Sequence, residues 1–326
     1  MLLRTLCLAL AAPLAAAPLA AQNPFVTDKY TADPAVIEHD GRVWLYVGHD
    51  EAPPNTHYRM NEWLLYSSDD LQTWTDHGPI LKVADFDWAI RDAYAAHAIE
   101  KDGKFYFYVS TEHDETRRGK AIGVAVADSP TGPFTDARGS ALVTADMTQV
   151  GRNHGWQDID PAVFTDDDGT SYLFWGNENC FYAKLNDNMI ELDGPIMEVE
   201  LDAFTEAPWI HKEGDLYYLV YATAFPEKVA YATAQSIEGP WTSRGLLAEG
   251  AGNSNTIHPA TLKFGDQWYF FYHTGMLPGG DSYRRSVAVD YLYHNADGSL
   301  QRVVQTTEGV SVPPSAPRVD EATNDD

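Results

Sequence analysis

One motif is written five times along this chain, and it restricts the fold more than any other feature. The stretches ADPAVIEHDGRVWLYV, YAAHAIEKDGKFYFYV, DIDPAVFTDDDGTSYLFW, FTEAPWIHKEGDLYYLVY and NTIHPATLKFGDQWYFFY share one order: a short apolar strand, a charged turn, then an aromatic-rich strand. The turns close on Gly41, Gly103, Gly169, Gly214 and Gly265, and tight hairpins need the positive φ that glycine adopts without steric cost. Behind each hairpin comes a second segment with its own strand signal: LLYSSDDLQTWTDHGPI, IGVAVADSPTGPFTD, FYAKLNDNMIELDGPI, KVAYATAQSIEGPWTSRG and SVAVDYLYHNADGSLQRV. From residue 22 onward no long stretch has helical periodicity. Four strands repeated five times predict an all-β protein, a five-bladed β-propeller over residues 22–312. A β-sandwich is the alternative, and it gives no reason for one hairpin to recur five times.

The two ends read differently. MLLRTLCLALAAPLAAAPLAAQ carries Arg4, then an unbroken apolar run that ends in small residues before Gln22. This predicts a secretory signal peptide over residues 1–21 and an exported protein, periplasmic or extracellular. An uncleaved anchor is the alternative, because the run approaches the length that spans a bilayer. Cleavage would remove Cys7 and leave Cys180 alone, so no internal disulfide is expected. Residues 313–326, PPSAPRVDEATNDD, read as an acidic disordered tail. Acidic residues number 48 against 22 basic ones, a net charge of −26 that repels phosphate backbones and argues against nucleic-acid partners. Neutral polymers remain open, and 13 Phe, 18 Tyr and 9 Trp supply flat faces suited to sugars.

In a propeller the inner strand of each blade lines the central channel, so the residues that open those strands converge at its mouth. That position reads Asp33, Ala95, Asp160, Glu206 and His258 across the five repeats. Pro34, Pro161 and Pro259 follow three of them and fix the entry of the strand. Each carboxylate alone reads best as a turn or strand-edge residue. Together they cost repulsion and desolvation that a structural role rarely demands. Glycoside hydrolysis does demand it: one carboxyl protonates the leaving oxygen, and a second, ionised, activates water or attacks the anomeric carbon. A third carboxylate nearby raises the acid's pKa by like-charge coupling.

At these residues the chain resembles glycoside hydrolase family 43, through TADPAVI, DIDPAVFTDDDGTSYLFWG, TEAPWIHKEGDLYYLVYA, HPATLKFGDQWYFFYH and LPGGDSYRRSVAVD. The resemblance spans residues 23–305 and implies a five-bladed propeller that hydrolyses arabinofuranosyl and xylosyl linkages with inversion. It implies Asp33 as general base, Glu206 as general acid and Asp160 as the group that tunes and orients the acid. It further implies that His258 contacts a metal ion, often calcium (Ca2+), through its water shell, and that Arg285 helps hold the sugar. No organic cofactor is expected. NEWLLYSSDDLQTWTDHGPI and the LPGG segment look most like the arabinofuranosidase and arabinoxylan-debranching branch. The expected activity is release of terminal α-L-arabinofuranose from arabinoxylan, arabinan or their oligosaccharides. A β-D-xylosidase and a non-catalytic sugar-binding propeller are the alternatives. Inversion requires about 6.5–9.5 Å between the Asp33 and Glu206 carboxyls, to admit a water.

The second blade departs from the family pattern: Tyr94 stands where related sequences commonly carry Trp. Tyr94 can still stack on a sugar, and Trp88 nearby is a second candidate face. His49, followed by Asp50 and Glu51, is a candidate subsite edge, and Trp156 a candidate pocket wall. Asp158 shares a strand face with Asp160 and is a candidate support; Trp209 and His273 read as core. Asp166-Asp167-Asp168-Gly169 reads as a hairpin turn, since it lacks the spaced ligands of a calcium loop.

Overall fold

A computed structural model describes residues 22–114, 116–148 and 155–311. The segments read as a signal peptide (1–21) and an acidic tail (313–326) lie outside the described residues.

Five antiparallel sheets are arranged as a five-bladed β-propeller. Blade one runs Thr31–His39, Arg42–His49, Glu62–Ser68 and Thr75–Lys82, from the channel outward. Blade two is built on Ala96–Lys101, Lys104–His113 and Lys120–Ala127. Blade three runs Ala162–Thr165, Ser171–Trp175, Cys180–Leu185 and Leu192–Val199. Blade four runs Phe204–Glu213, Leu216–Thr223, Lys228–Ala234 and Thr242–Ala248. Successive inner strands touch around the ring, and the fifth, Ala260–Phe264, closes back on the first.

The turn glycines have φ of 74°, 73°, 86°, 59° and 61° in chain order. A Cβ added at any of them would meet nothing within 4 Å. Backbone conformation, and not lack of space, therefore requires glycine there. Between blades the sheets pack through large side chains, with Trp63, Trp175, Tyr108 and Phe271 almost wholly buried. Burying each such ring stabilises the fold by about 1.5–3 kcal/mol, enough to hold a fold whose one described cysteine, Cys180, is unpaired.

Blade five differs from the expected four strands. It has three, Ala260–Phe264, Gln267–Thr274 and Ser286–Leu292. The end of SVAVDYLYHNADGSLQRV leaves the sheet and runs back to blade four, where the Val303 N–H donates to the Leu247 carbonyl. Residues 23–25 take the vacant outer edge instead. The Phe25 N–H donates to the Val287 carbonyl at 3.2 Å. The Asn23 amide donates to the Val289 carbonyl and accepts the Val289 N–H, both at 2.9 Å. A ring closed by its own two ends leaves no open edge between first and last blade.

Candidate active site

The inner strands of blades one and four are irregular where they meet the mouth. The pairing of Thr31–His39 slips between Ala32 and Ala35, and that of Phe204–Glu213 slips on both sides of Glu206. Asp33, Asp160 and Ala207 have φ of 54°, 60° and 57°. Positive φ is costly for residues with a Cβ and persists where surrounding structure imposes it, commonly at functional sites. These bulges aim the strand-opening side chains inward. The result is a cavity of about 280 Å³ whose lining includes Asp33, Ala95, Asp160, Glu206 and His258, one from each blade. It is smaller than a hollow of about 950 Å³ between blades three and four, so size alone does not mark it. Buried carboxyls do.

Asp33 is only 7% exposed and lies beside one guanidinium and two imidazoles. Arg285 Nη1 donates to its Oδ1 at 2.9 Å, and His273 Nδ1 lies 3.2 Å from the same oxygen. His258 Nδ1 is 4.0 Å away. Burial pushes the Asp33 pKa up, but Arg285 and the two histidines more than reverse this and hold it below the usual carboxylate range. Asp33 is therefore ionised.

The other two carboxyls behave oppositely. Burial, then Glu206, then Asp33 push Asp160 well above its ordinary pKa. Asp160 Oδ2 accepts the N–H of Ala207 at 3.0 Å, which fixes the backbone just after Glu206. The Ser110 hydroxyl accepts the Asp160 N–H at 2.8 Å. Burial also raises Glu206, and Asp33 adds to the rise, while Asn177 Nδ2, donating to its Oε2 at 2.6 Å, opposes it. One carboxyl is thus set to be ionised and another protonated in the same hollow, the pairing that acid–base chemistry at a glycosidic bond requires.

Arg285 lines the cavity, yet its fork is largely committed to protein. Nε and Nη2 each donate to the Asp50 carboxylate at 2.9 Å, and its backbone N–H does so at 2.8 Å. Asp50, read beside His49 as a subsite edge, is buried as the counter-ion of Arg285. Tyr94 and Trp156 line the cavity as a stacked pair, ring centroids 5.7 Å apart, with Lys120 Nζ 4.1 and 4.6 Å from the two rings.

Two candidates fall elsewhere. Trp88 does not line the cavity. Its ring packs on Gly123, where any Cβ would lie 2.5 Å from it, and its Nε1 donates to Asp136. Trp88 is core. His49 is likewise outside the lining; its Nδ1 sits 3.1 Å from Glu62 Oε1 in its own blade, which turns the ring away from the channel. Trp209 is core as expected, donating to the Thr261 carbonyl. His273, read as core, is buried but brackets Asp33: the Asp33 N–H points to its Nδ1 at 3.3 Å, and its Nε2 donates to the Thr256 carbonyl. Asp158 bonds the Thr148 hydroxyl and Trp175 Nε1, and burial raises it to about 6.

Sequence reading missed Tyr58, Asn177, Phe225, Glu227 and Tyr283, which all line the same cavity. They come from the segments that follow the second strands, whose lengths differ from blade to blade so that the register of the repeat fades. Direct ligation of a metal by the protein is not supported by the donor set. His258 is neutral, lowered to about 4 chiefly by burial, but no group of three or more His, Cys, Asp or Glu suited to a metal occurs among the described residues. Calcium takes six to eight oxygen ligands, so these residues do not form a protein cage for it.

The family model for glycosyl hydrolases family 43 matches residues 21–300. The chain is 30% identical to a xylosidase/arabinosidase of Bacteroides ovatus, over 84% of this chain and 95% of that protein. It is 31% identical to an arabinoxylan arabinofuranohydrolase of Bacillus subtilis, over 89% of this chain and 65% of that one. Among solved structures, a family 43 β-xylosidase/α-arabinofuranosidase from a compost metagenome, bound to xylotriose in a calcium-free form, superposes with a TM-score of 0.78 at 31% identity, covering 87% of this chain and 97% of that one. With a repeat, a closed ring and a mouth full of carboxyls that all agree with these relatives, the chain belongs to glycosyl hydrolases family 43 and is an O-glycosyl hydrolase.

Proposed function

We propose that this enzyme removes single terminal pentoses from arabinoxylan and its oligosaccharides with inversion, α-L-arabinofuranose being the preferred sugar. The observation that carries this reading is the opposite surroundings of two carboxyls in one small cavity: Asp33 against the Arg285 guanidinium and held below the usual carboxylate range, Glu206 pushed up by burial and by Asp33. A hollow of about 280 Å³ suits one pentose and the bond beyond it, which favours exo attack.

In this reaction the Glu206 carboxyl gives its proton to the glycosidic oxygen as the C1–O bond breaks, and the leaving sugar departs as an alcohol. Asp33 takes a proton from water, whose oxygen forms the new bond to C1 from the opposite face. Asp160 acts through Glu206, by holding the Ala207 N–H just after it and so fixing the backbone that aims the acid. Arg285 keeps Asp33 ionised and oriented. The stacked Tyr94–Trp156 pair offers a face to the sugar. A β-D-xylosidase is the second reading, favoured by the xylotriose bound to the compost-metagenome relative.

Two measurements test the proposal. NMR of the first product should show inverted anomeric configuration; retention would overturn the mechanism. Glu206→Gln should lose roughly 10²–10⁴-fold in turnover of a natural arabinoside and far less with a 4-nitrophenyl leaving group, which needs little protonation. Near-normal activity on the natural linkage would show the acid to be misassigned. Linkage analysis of products from arabinan, arabinoxylan and xylo-oligosaccharides separates arabinose from xylose release.

A further inference from the structure

The mouth holds a fourth carboxyl that the reaction above does not use. Glu227 sits in the loop between Leu216–Thr223 and Lys228–Ala234 and is 3% exposed. Its backbone N–H donates to the Asn255 carbonyl at 2.9 Å, and its Oε2 accepts the Ile257 N–H at 2.8 Å. Blade five therefore holds both ends of this residue. Its carboxyl lines the cavity together with Glu206, close enough for the two to be hydrogen-bond partners. The carboxyls of Glu206 and Asp160 push it up, Asp33, His258 and Arg285 line the same cavity, and no ion pair to Glu227 occurs among the described residues. Two carboxyls bonded to each other in a buried place must share a proton, because two facing carboxylates would only repel.

We propose that Glu227 is a positioning residue that stays a neutral acid and donates its hydrogen bond to Glu206, steadying the carboxylate that Glu206 becomes on giving up its proton. This inference rests on the reading of Glu206 as the general acid. Oε2 of Glu227 is engaged by Ile257, so Oε1 carries the proton toward Glu206. Burial, then Glu206, raises Glu227 to about 10, and the shared bond raises Glu227 while lowering Glu206, as expected when Glu227 is the donor. Asp160 and Glu227 then act on Glu206 in different ways: Asp160 holds the backbone beside it through the Ala207 N–H, and Glu227 favours the anion left behind. The proton stays on Glu227 throughout, so the hydrolysis balances as written, with one proton from Glu206 and one to Asp33.

The test compares Glu227→Ala with Glu227→Gln, reading kcat/KM against pH on a natural oligosaccharide and on a 4-nitrophenyl pentoside. The alanine removes the donor. The Glu206 pKa then rises, the alkaline limb moves to higher pH, and the natural substrate loses roughly ten- to a hundredfold, with a much smaller loss on the activated one. In Glu227→Gln the amide oxygen can take the Ile257 N–H while its NH₂ faces Glu206. It should rescue most of the alanine loss and leave the alkaline limb near its original place. If Glu227 instead works as a carboxylate, glutamine removes a negative charge and the alkaline limb falls, by roughly a unit. That fall, or a glutamine variant as slow as the alanine one, overturns the proposal. Glutamine alone decides the question if alanine fails to fold. Activity of Glu206→Gln on the natural linkage would remove the acid reading itself, whereas an inactive Glu206→Gln with an alkaline limb lowered in Glu227→Gln would remove only the role of Glu227.

Discussion

The same five inner strands make both ends of the channel, and the two ends are built on opposite terms. At the far end, hairpin turns enclose a hollow of about 590 Å³, larger than the catalytic one. Both of its lysines are paired. Lys212 bonds Asp166, Asp167 and the Tyr217 hydroxyl, and Lys263 bonds Glu213. His211 lies flat on Tyr218, centroids 4.6 Å apart, and burial keeps it neutral. Positive φ at these hairpin turns falls on the five glycines and on Asp40 and Asp102, exposed turn aspartates that tolerate it. At the mouth, positive φ falls on Asp33, Asp160 and Ala207, and carboxyls crowd together with too few cations. A hollow whose cations are paired off is architecture; one in which buried carboxyls are held together on strained backbone has a use for them.

Variants should break this contrast unequally. The largest effect is expected from Arg285→Met, which strips the buried mouth of its cation. Two carboxylates, Asp33 and Asp50, lose their partner, at a cost of about 3–5 kcal/mol in stability. Burial then acts on Asp33 with only the two histidines against it, so the acidic limb of kcat/KM should move to higher pH; an unmoved limb would mean that Asp33 is not the group seen there.

A middle-sized effect is expected in pH-dependent stability. Between the ordinary Glu value of 4.5 and about 10, folded Glu227 keeps a proton that the unfolded chain has released. Raising the pH through this window therefore favours unfolding, by on the order of 1–3 kcal/mol. Glu227→Gln should flatten that part of the profile of chemical denaturation against pH. Asp33 has the opposite sign: its folded pKa is depressed, so its stabilisation is present above 3.8 and is lost as the pH falls below it. The smallest effect is expected at the far end, where Lys212→Ala should leave kcat/KM unchanged and lower Tm by no more than about 2 °C. A kinetic loss there would show that the far end is coupled to the mouth.

The repeat made Asp33, Ala95, Asp160, Glu206 and His258 legible because register along a β-strand is a local property. Once one blade is aligned with the next, equivalent positions must meet at the axis. The same reasoning had a second use that went unexploited. Second strands also end at the mouth, and the polar residues just past them in blades one, three and four are Asp50, Asn177 and Glu227. Beyond those positions the loops differ in length and the register is lost, which hid Tyr58 and Tyr283. Trp88 and His49 were misplaced for another reason. An aromatic or imidazole beside a strand can turn to either side, and what turned these two was the open space over Gly123 and the Glu62 carboxylate. Blade five was read as four strands because its sequence carries enough strand signal; the outer edge went to residues 23–25.

The chain's sequence alone determined the ring of five blades and which side chains face its mouth, since hairpin turns and alternating burial are set by neighbours a few residues away. Only the tertiary structure decided the charge each of those groups carries. Protonation depends on distances between residues more than a hundred positions apart, such as Asp33 and Arg285, and on how completely the closed ring excludes water from them.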